Sequence, residues 1–296
     1  MTKTNKSIVF LTITFAISWA VVIGGWALGW HENPGLITAV LAASMFGPSI
    51  AAFICAMAFE KGRRAEALGL RFKPNWWWLA AYLMPIVIGA ASVALSIAFG
   101  ASTYVDLGAA VVTMVEQTAP EQSAAVRAMA PYLGIIVLAQ ALLLGALVNS
   151  VVLTFSEELG WRGYLHDLWR GAGFWRASLS TGFIWGVWHA PAILLFGLNY
   201  PDNRAVGVGL FIAFCMLLAP ILSFVRDRGA SVWAAGVFHG TFNALGGLTL
   251  MTLSNPAFPW NGIVGIGGFA ALAAGVAVVA LLGGKPTGAT AQAASA

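Results

Sequence analysis

WWWLAAYLMPIVIGAASVALSIAFG, residues 76–100, contains no charged side chain, and a helix crossing a hydrocarbon layer about 30 Å thick needs roughly 20 apolar residues. Seven further apolar runs flank it, at 8–30, 36–59, 132–158, 178–198, 206–225, 231–253 and 263–284. Each is continuous, whereas the strands of a membrane barrel alternate apolar and polar residues. Backbone groups in lipid must be paired within their own segment, so helices remain. The expectation is an all-α polytopic integral membrane protein with about eight transmembrane helices. Composition agrees, since 59% of the 296 residues are apolar and 9% charged, against about a quarter charged in soluble domains. A soluble domain, a disordered chain, a coiled coil and a disulfide scaffold are excluded. Cys55 and Cys215 lie inside apolar runs and read as buried packing residues.

The formal charge of +4, from 15 basic and 11 acidic residues, is too small for a nucleic-acid-binding face. Its distribution says more. With a cytoplasmic N-terminus and eight crossings, thirteen of the basic residues fall in inner segments, and only Arg127 and Arg204 fall outside. That bias predicts a multi-pass protein of the plasma or inner membrane with both termini cytoplasmic. The first run lacks a small-residue cleavage site and reads as a retained helix rather than a signal peptide, with no soluble domain at either end. Trp76, Trp77 and Trp78 read as interfacial rings. Residues 160–176 mix aromatic side chains, Trp161 among them, with Arg162, Arg170 and Arg176, and read as a helix or loop on the inner leaflet. His31 and His166 read as surface residues. The segment 101–131 reads as a mildly acidic outer loop, and the Ala-, Gly-, Thr- and Ser-rich tail 285–296 as disordered.

Ionisable groups at membrane depth are costly unless paired or facing a polar cavity, so each is a functional candidate. All of them fall in the second half: Glu157 and Glu158 at the inner end of the fourth run, His189 in the fifth, His239 with Asn243 in the seventh. Glu158 and Arg162, Trp185 and His189, and His239 and Asn243 are each four apart and share a helix face. At about 1.5 Å per residue, His239 lies roughly 12 Å and His189 roughly 16 Å from the inner helix ends. These depths predict a chamber in the cytoplasmic half of the bilayer, opening inward. Two chemistries fit the residue types. Glutamate and histidine can activate water while histidine and asparagine donate to an oxyanion. Alternatively, two histidines and a glutamate can hold a catalytic zinc. Spacing chooses neither, because no HExxH pair is present and His166 with Asp167 does not form one.

Three motifs sit at these residues. SEELGWRGYL, residues 156–165, contains EExxxR; IWGVWHAP, residues 184–191, matches FxxxH with Trp185 in place of phenylalanine; FHGTFN, residues 238–243, matches HxxxN. Together they resemble the CPBP intramembrane proteases, which include CAAX prenyl endopeptidases and bacteriocin-processing or immunity proteins. The resemblance covers about a third of the chain and makes residues 132–284 the protease core, with residues 1–131 as three preceding helices and the outer loop. It implies an intramembrane endopeptidase that cuts a membrane-associated protein or peptide near the cytoplasmic leaflet, by CAAX-type processing or peptide maturation. It further implies Glu157 as principal acid or base working with His189 on water, His239 and Asn243 as oxyanion donors, and Glu158 and Arg162 as supporting members. By family naming alone a divalent metal such as Zn2+ belongs to the site; a metal-free glutamate mechanism is the other option. The competing readings are a non-catalytic membrane scaffold or immunity partner, and a transporter. Against the transporter, the polar residues are confined to one half of the chain, whereas inverted repeats leave matched interruptions in both.

Overall fold

The protein is described from a computed structural model covering residues 1–283. The tail 285–296, Lys285 and the last residue of the eighth run lie outside the described residues. Each apolar run is helical: α1 (Lys3–Ala27), α2 (Pro34–Ser44) with α3 (Gly47–Phe59), α4 (Trp76–Ala98), α5 (Leu107–Thr118), α6 (Ser123–Gln140), α7 (Ala146–Leu153), α8 (Phe174–Trp188) with α9 (Ala190–Phe196), α10 (Arg204–Arg228), α11 (Val232–Met251) and α12 (Ile266–Leu281). Among the described residues there is no strand, only a single backbone bridge between Tyr104 and Leu253. The molecule is an all-α polytopic membrane protein. Among the described residues, six helical stretches have the length and apolar composition to cross a membrane: Lys3–Ala27, Pro34–Phe59, Trp76–Ala98, Pro120–Ala172, Phe174–Phe196 and Arg204–Arg228. The other two runs form α11, whose apolar character is diluted by His239, Thr241 and Asn243, and α12, which is only 16 residues long. Cys55 and Cys215 are buried free thiols, as expected.

Helix starts follow local chemistry. Asn75, Asp106 and Ser231 each turn a side-chain oxygen onto a backbone N–H of the first turn, of Trp77, Ala109 and Trp233 respectively. The segment 101–131 is not a plain loop: α5 and the first residues of α6 form a helical pair against each other, closed by the Glu116–Arg127 ion pair at 2.6 Å. The larger departure lies in the fourth run. Its helix does not end at Glu158 but continues to Ala172, through a five-residue π turn at Ala141–Gly145 and a π-helix at Thr154–Leu165. Residues 160–176 therefore do not all lie on the inner leaflet. Trp161, Arg162, Tyr164 and Leu165 are fully buried, with Phe10 of α1 edge-on to Trp161 at 6.0 Å. Trp161 is thus a core ring rather than an interfacial one, because α1 and α3 cover it.

Two glycines allow the close helix contacts that build the site. A Cβ at Gly186 of α8 would stand 2.5 Å from the Cα of Ile212 in α10, and one at Gly240 of α11 would stand 2.5 Å from the Cα of Ser150 in α7. Small residues at such crossings let backbones meet where lipid offers no hydrophobic drive for association. One end of the bundle is tied by ions. Glu60 accepts from Lys6 at 2.7 Å and Arg63 at 2.8 Å, Asp167 accepts from Arg63 at 2.8 Å and from Arg170, and Trp169 Nε1 donates to Ser7 Oγ at 2.9 Å. The Asp167 and Glu60 carboxylates push the Arg63 guanidinium above its usual range, so it stays charged. Replacing Gly186 by valine is expected to cost about 1–3 kcal/mol by overpacking, read as a lower thermal midpoint in detergent. Gly209→Ala, whose Cβ would meet nothing within 4 Å, should leave the midpoint unchanged or raised; an unchanged midpoint in Gly186→Val would contradict the α8–α10 contact.

Candidate active site

The chain brings Glu157, His189, His239 and Asn243 to the wall of one cavity of about 540 Å³. Local sequence explains each position. In the π-helix 154–165 the adjacent carboxylates diverge, Glu157 toward the cavity and Glu158 into the protein. Such widened turns are rare and cluster at functional sites. Pro191 follows His189 by two residues and cannot donate to a continuing helix, so α8 stops and His189 becomes the junction with α9. His239 and Asn243, four apart on α11, face the same way.

Glu158 and Arg162 are both fully buried and 3.0 Å apart, the guanidinium Nη1 donating to Oε1. That same oxygen accepts from His239 Nδ1 at 2.9 Å. Glu157, 3% exposed, accepts at Oε2 from the indole Nε1 of Trp185 at 2.8 Å. Trp185 is the centre of the arrangement. The Arg162 guanidinium lies 4.3 Å from its ring centroid, and the His239 and His189 rings stand edge-on at 5.3 and 5.8 Å. His189 Nδ1 donates to the Trp185 carbonyl at 2.7 Å, which leaves Nε2 as the ring's acceptor when neutral. His239 likewise has Nε2 free of protein partners among the described residues. Asn243 makes no side-chain hydrogen bond among the described residues and is open to the cavity.

All six residues singled out from the sequence meet here. Glu157, His189, His239 and Asn243 line the cavity, while Glu158 and Arg162 lie behind it. Arg162 is not an interfacial anchor: its guanidinium pairs with Glu158 and its carbonyl accepts from Arg226 Nε at 3.0 Å. His166 is not a free surface group either, since its Nε2 sits 2.9 Å from Asp227 Oδ1. From the sequence Trp185 stands out only as sharing a helix face with His189; its hydrogen bond to Glu157 is not readable there, and the tryptophan in place of the motif phenylalanine is the available signal. Trp19, Trp188, Phe211 and Phe214, which add aromatic rings to the cavity wall, carry no such signal. The sequence reading has the chamber opening at the basic end of the bundle, which carries the N-terminus. The cavity runs toward Asn199, Asn261 and Val264, away from the end that holds Lys6, Glu60 and Asp167.

For a metal ion, among the described residues no three His, Cys, Asp or Glu side chains are grouped to hold one. Glu158 is committed to Arg162 and His239, and one oxygen of Glu157 to Trp185, which leaves His189 Nε2, His239 Nε2 and the other Glu157 oxygen without protein partners among the described residues. No curated protein matches the chain. Residues 139–245 are similar to the family model of Rce1-like type II CAAX prenyl endopeptidases, a span that takes in all three motifs.

Proposed function

We propose that the protein is an intramembrane endopeptidase that hydrolyses a peptide bond of a membrane-associated protein or peptide. The observation that carries this reading is the convergence, around one cavity, of a Trp185-oriented carboxylate, two imidazoles with unengaged Nε2 atoms, and an unengaged carboxamide. Glu157, with His189 Nε2, takes a proton from water as its oxygen attacks the scissile carbonyl carbon. The oxyanion that forms accepts from the Asn243 amide and from His239 Nε2, which donates when the imidazole is protonated. Collapse of the tetrahedral species breaks the C–N bond, and the leaving amine takes its proton from the protonated Glu157. Glu158 and Arg162 position His239 and Trp185 and do not touch substrate. No step is routed through a metal.

Purified protein with a cleavable membrane peptide provides the test. Glu157→Gln or His189→Ala should lose about 10²–10⁴ in rate, and Asn243→Ala about 10²–10³ in kcat with little change in KM. Wild-type rates in all three would remove the reading. Trp185→Phe, which keeps the ring and deletes the N–H, should cost about 10- to 100-fold, the worth of a hydrogen bond to a charged group. Chelation by EDTA or phenanthroline is expected to leave the rate unchanged; reversible loss restored by Zn2+ would return the metal mechanism. Arg162→Met should destabilise by about 3–5 kcal/mol, because Glu158 is left as an uncompensated buried charge. Thermal unfolding of Arg162→Met beside Glu158→Gln/Arg162→Met checks this, the double variant recovering much of the loss.

A further inference from the structure

The cavity treats the two ends of the bundle differently. From His239 its wall continues along α11 to Leu250, a rise of about 16 Å, and reaches Asn199, Asn261 and Ile263 in the connections at the end remote from the N-terminus. In the other direction the site is closed. Directly behind the carboxylates, Trp161, Arg162, Tyr164 and Leu165 show no exposure at all. Phe10 packs on both aromatic rings, with centroids at 6.0 and 5.6 Å. Beyond this plug lies the ion-pair layer of Lys6, Glu60, Arg63 and Asp167.

The closed end is also the basic end. Lys6, Arg63, Arg64, Lys73, Arg170 and Arg228 all belong to it, while among the described residues the open end has only Arg127 and Arg204. Lysine and arginine accumulate on the cytoplasmic side of membrane proteins. Among the described residues the cavity wall contains no Lys or Arg, and its ionisable groups are Glu157, His189 and His239. The rest is aromatic and aliphatic, with asparagine and serine side chains. Such a wall offers apolar contact and hydrogen bonds but no cation to pair with a carboxylate.

We infer that the site opens on the extracytoplasmic side. On the peptidase reading above, it takes from that side, or from the outer leaflet, an internal peptide segment with apolar, uncharged side chains. The charge asymmetry between the two ends and the direction of the cavity are separate observations, and together they carry the inference.

Thiol labelling in intact cells tests the route with the full chain. Gly246 lines the cavity, and a Cβ there would meet nothing within 4 Å, so Gly246→Cys fits without displacement. Lys61→Cys marks the exposed loop at the basic end. The native Cys55 and Cys215 are buried, so the wild-type protein serves as the blank. A small membrane-impermeant cationic methanethiosulfonate added outside should label Gly246→Cys at least tenfold faster than Lys61→Cys, and permeabilisation should equalise them. Labelling of Gly246→Cys only after permeabilisation, or of Lys61→Cys from outside, overturns the inference. The peptidase reading is tested apart from this by detergent-solubilised hydrolysis, which has no sides: its absence there defeats the peptidase reading and leaves the labelling result standing.

Discussion

A charge removed from water must find a partner, and the arrangement of this core follows from one such pairing. Glu158 and Arg162 are both fully buried, and each without the other would cost several kcal/mol. Pairing them fixes more than two side chains. The shared Oε1 of Glu158 also accepts from His239, which joins the fourth run to α11. The guanidinium lies over the indole of Trp185, which joins the same segment to α8. Three helices are thereby held at one depth around a charge that cannot be left alone.

Trp185 then turns this structural network into a site. Its ring is held by Arg162 and His239, its N–H orients Glu157, and its carbonyl fixes the tautomer of His189. Two neighbouring glutamates therefore do different work: one is spent on holding helices together, the other keeps an oxygen available at the cavity. The π-helix separates them, and the glycine contacts at Gly186 and Gly240 bring the neighbouring backbones close enough for their side chains to reach it.

Much of this was legible in the chain itself. Helices are readable because lipid leaves few other backbone solutions; Glu157, Glu158, His189 and His239 stand out because ionisable groups in apolar runs are expensive, and Arg162 and Asn243 through their four-residue spacing to Glu158 and His239. The misreadings share a physical origin. Trp161 and Arg162 have the composition of an interface, and only the covering by α1 and α3 reveals them as a plug. The fourth helix appeared to end at its glutamates because charges usually end an apolar run, yet here they pair internally and the helix goes on. Depths counted from helix ends predict an opening at the inner end, because they do not register the packing of Phe10 on Trp161 and Tyr164 that closes it. The hydrogen bond from Trp185 to Glu157 joins residues 28 apart on different helices, beyond any local periodicity.

The most direct measurement is an experimental structure of the Glu157→Gln protein with an uncleaved peptide bound. The account predicts the scissile carbonyl oxygen within hydrogen-bond distance of Asn243 and His239, its carbon facing residue 157 and His189, and the peptide leaving past Asn199 and Asn261. A peptide bound elsewhere, or entering between the ion-paired ends of α1 and α3, would contradict it.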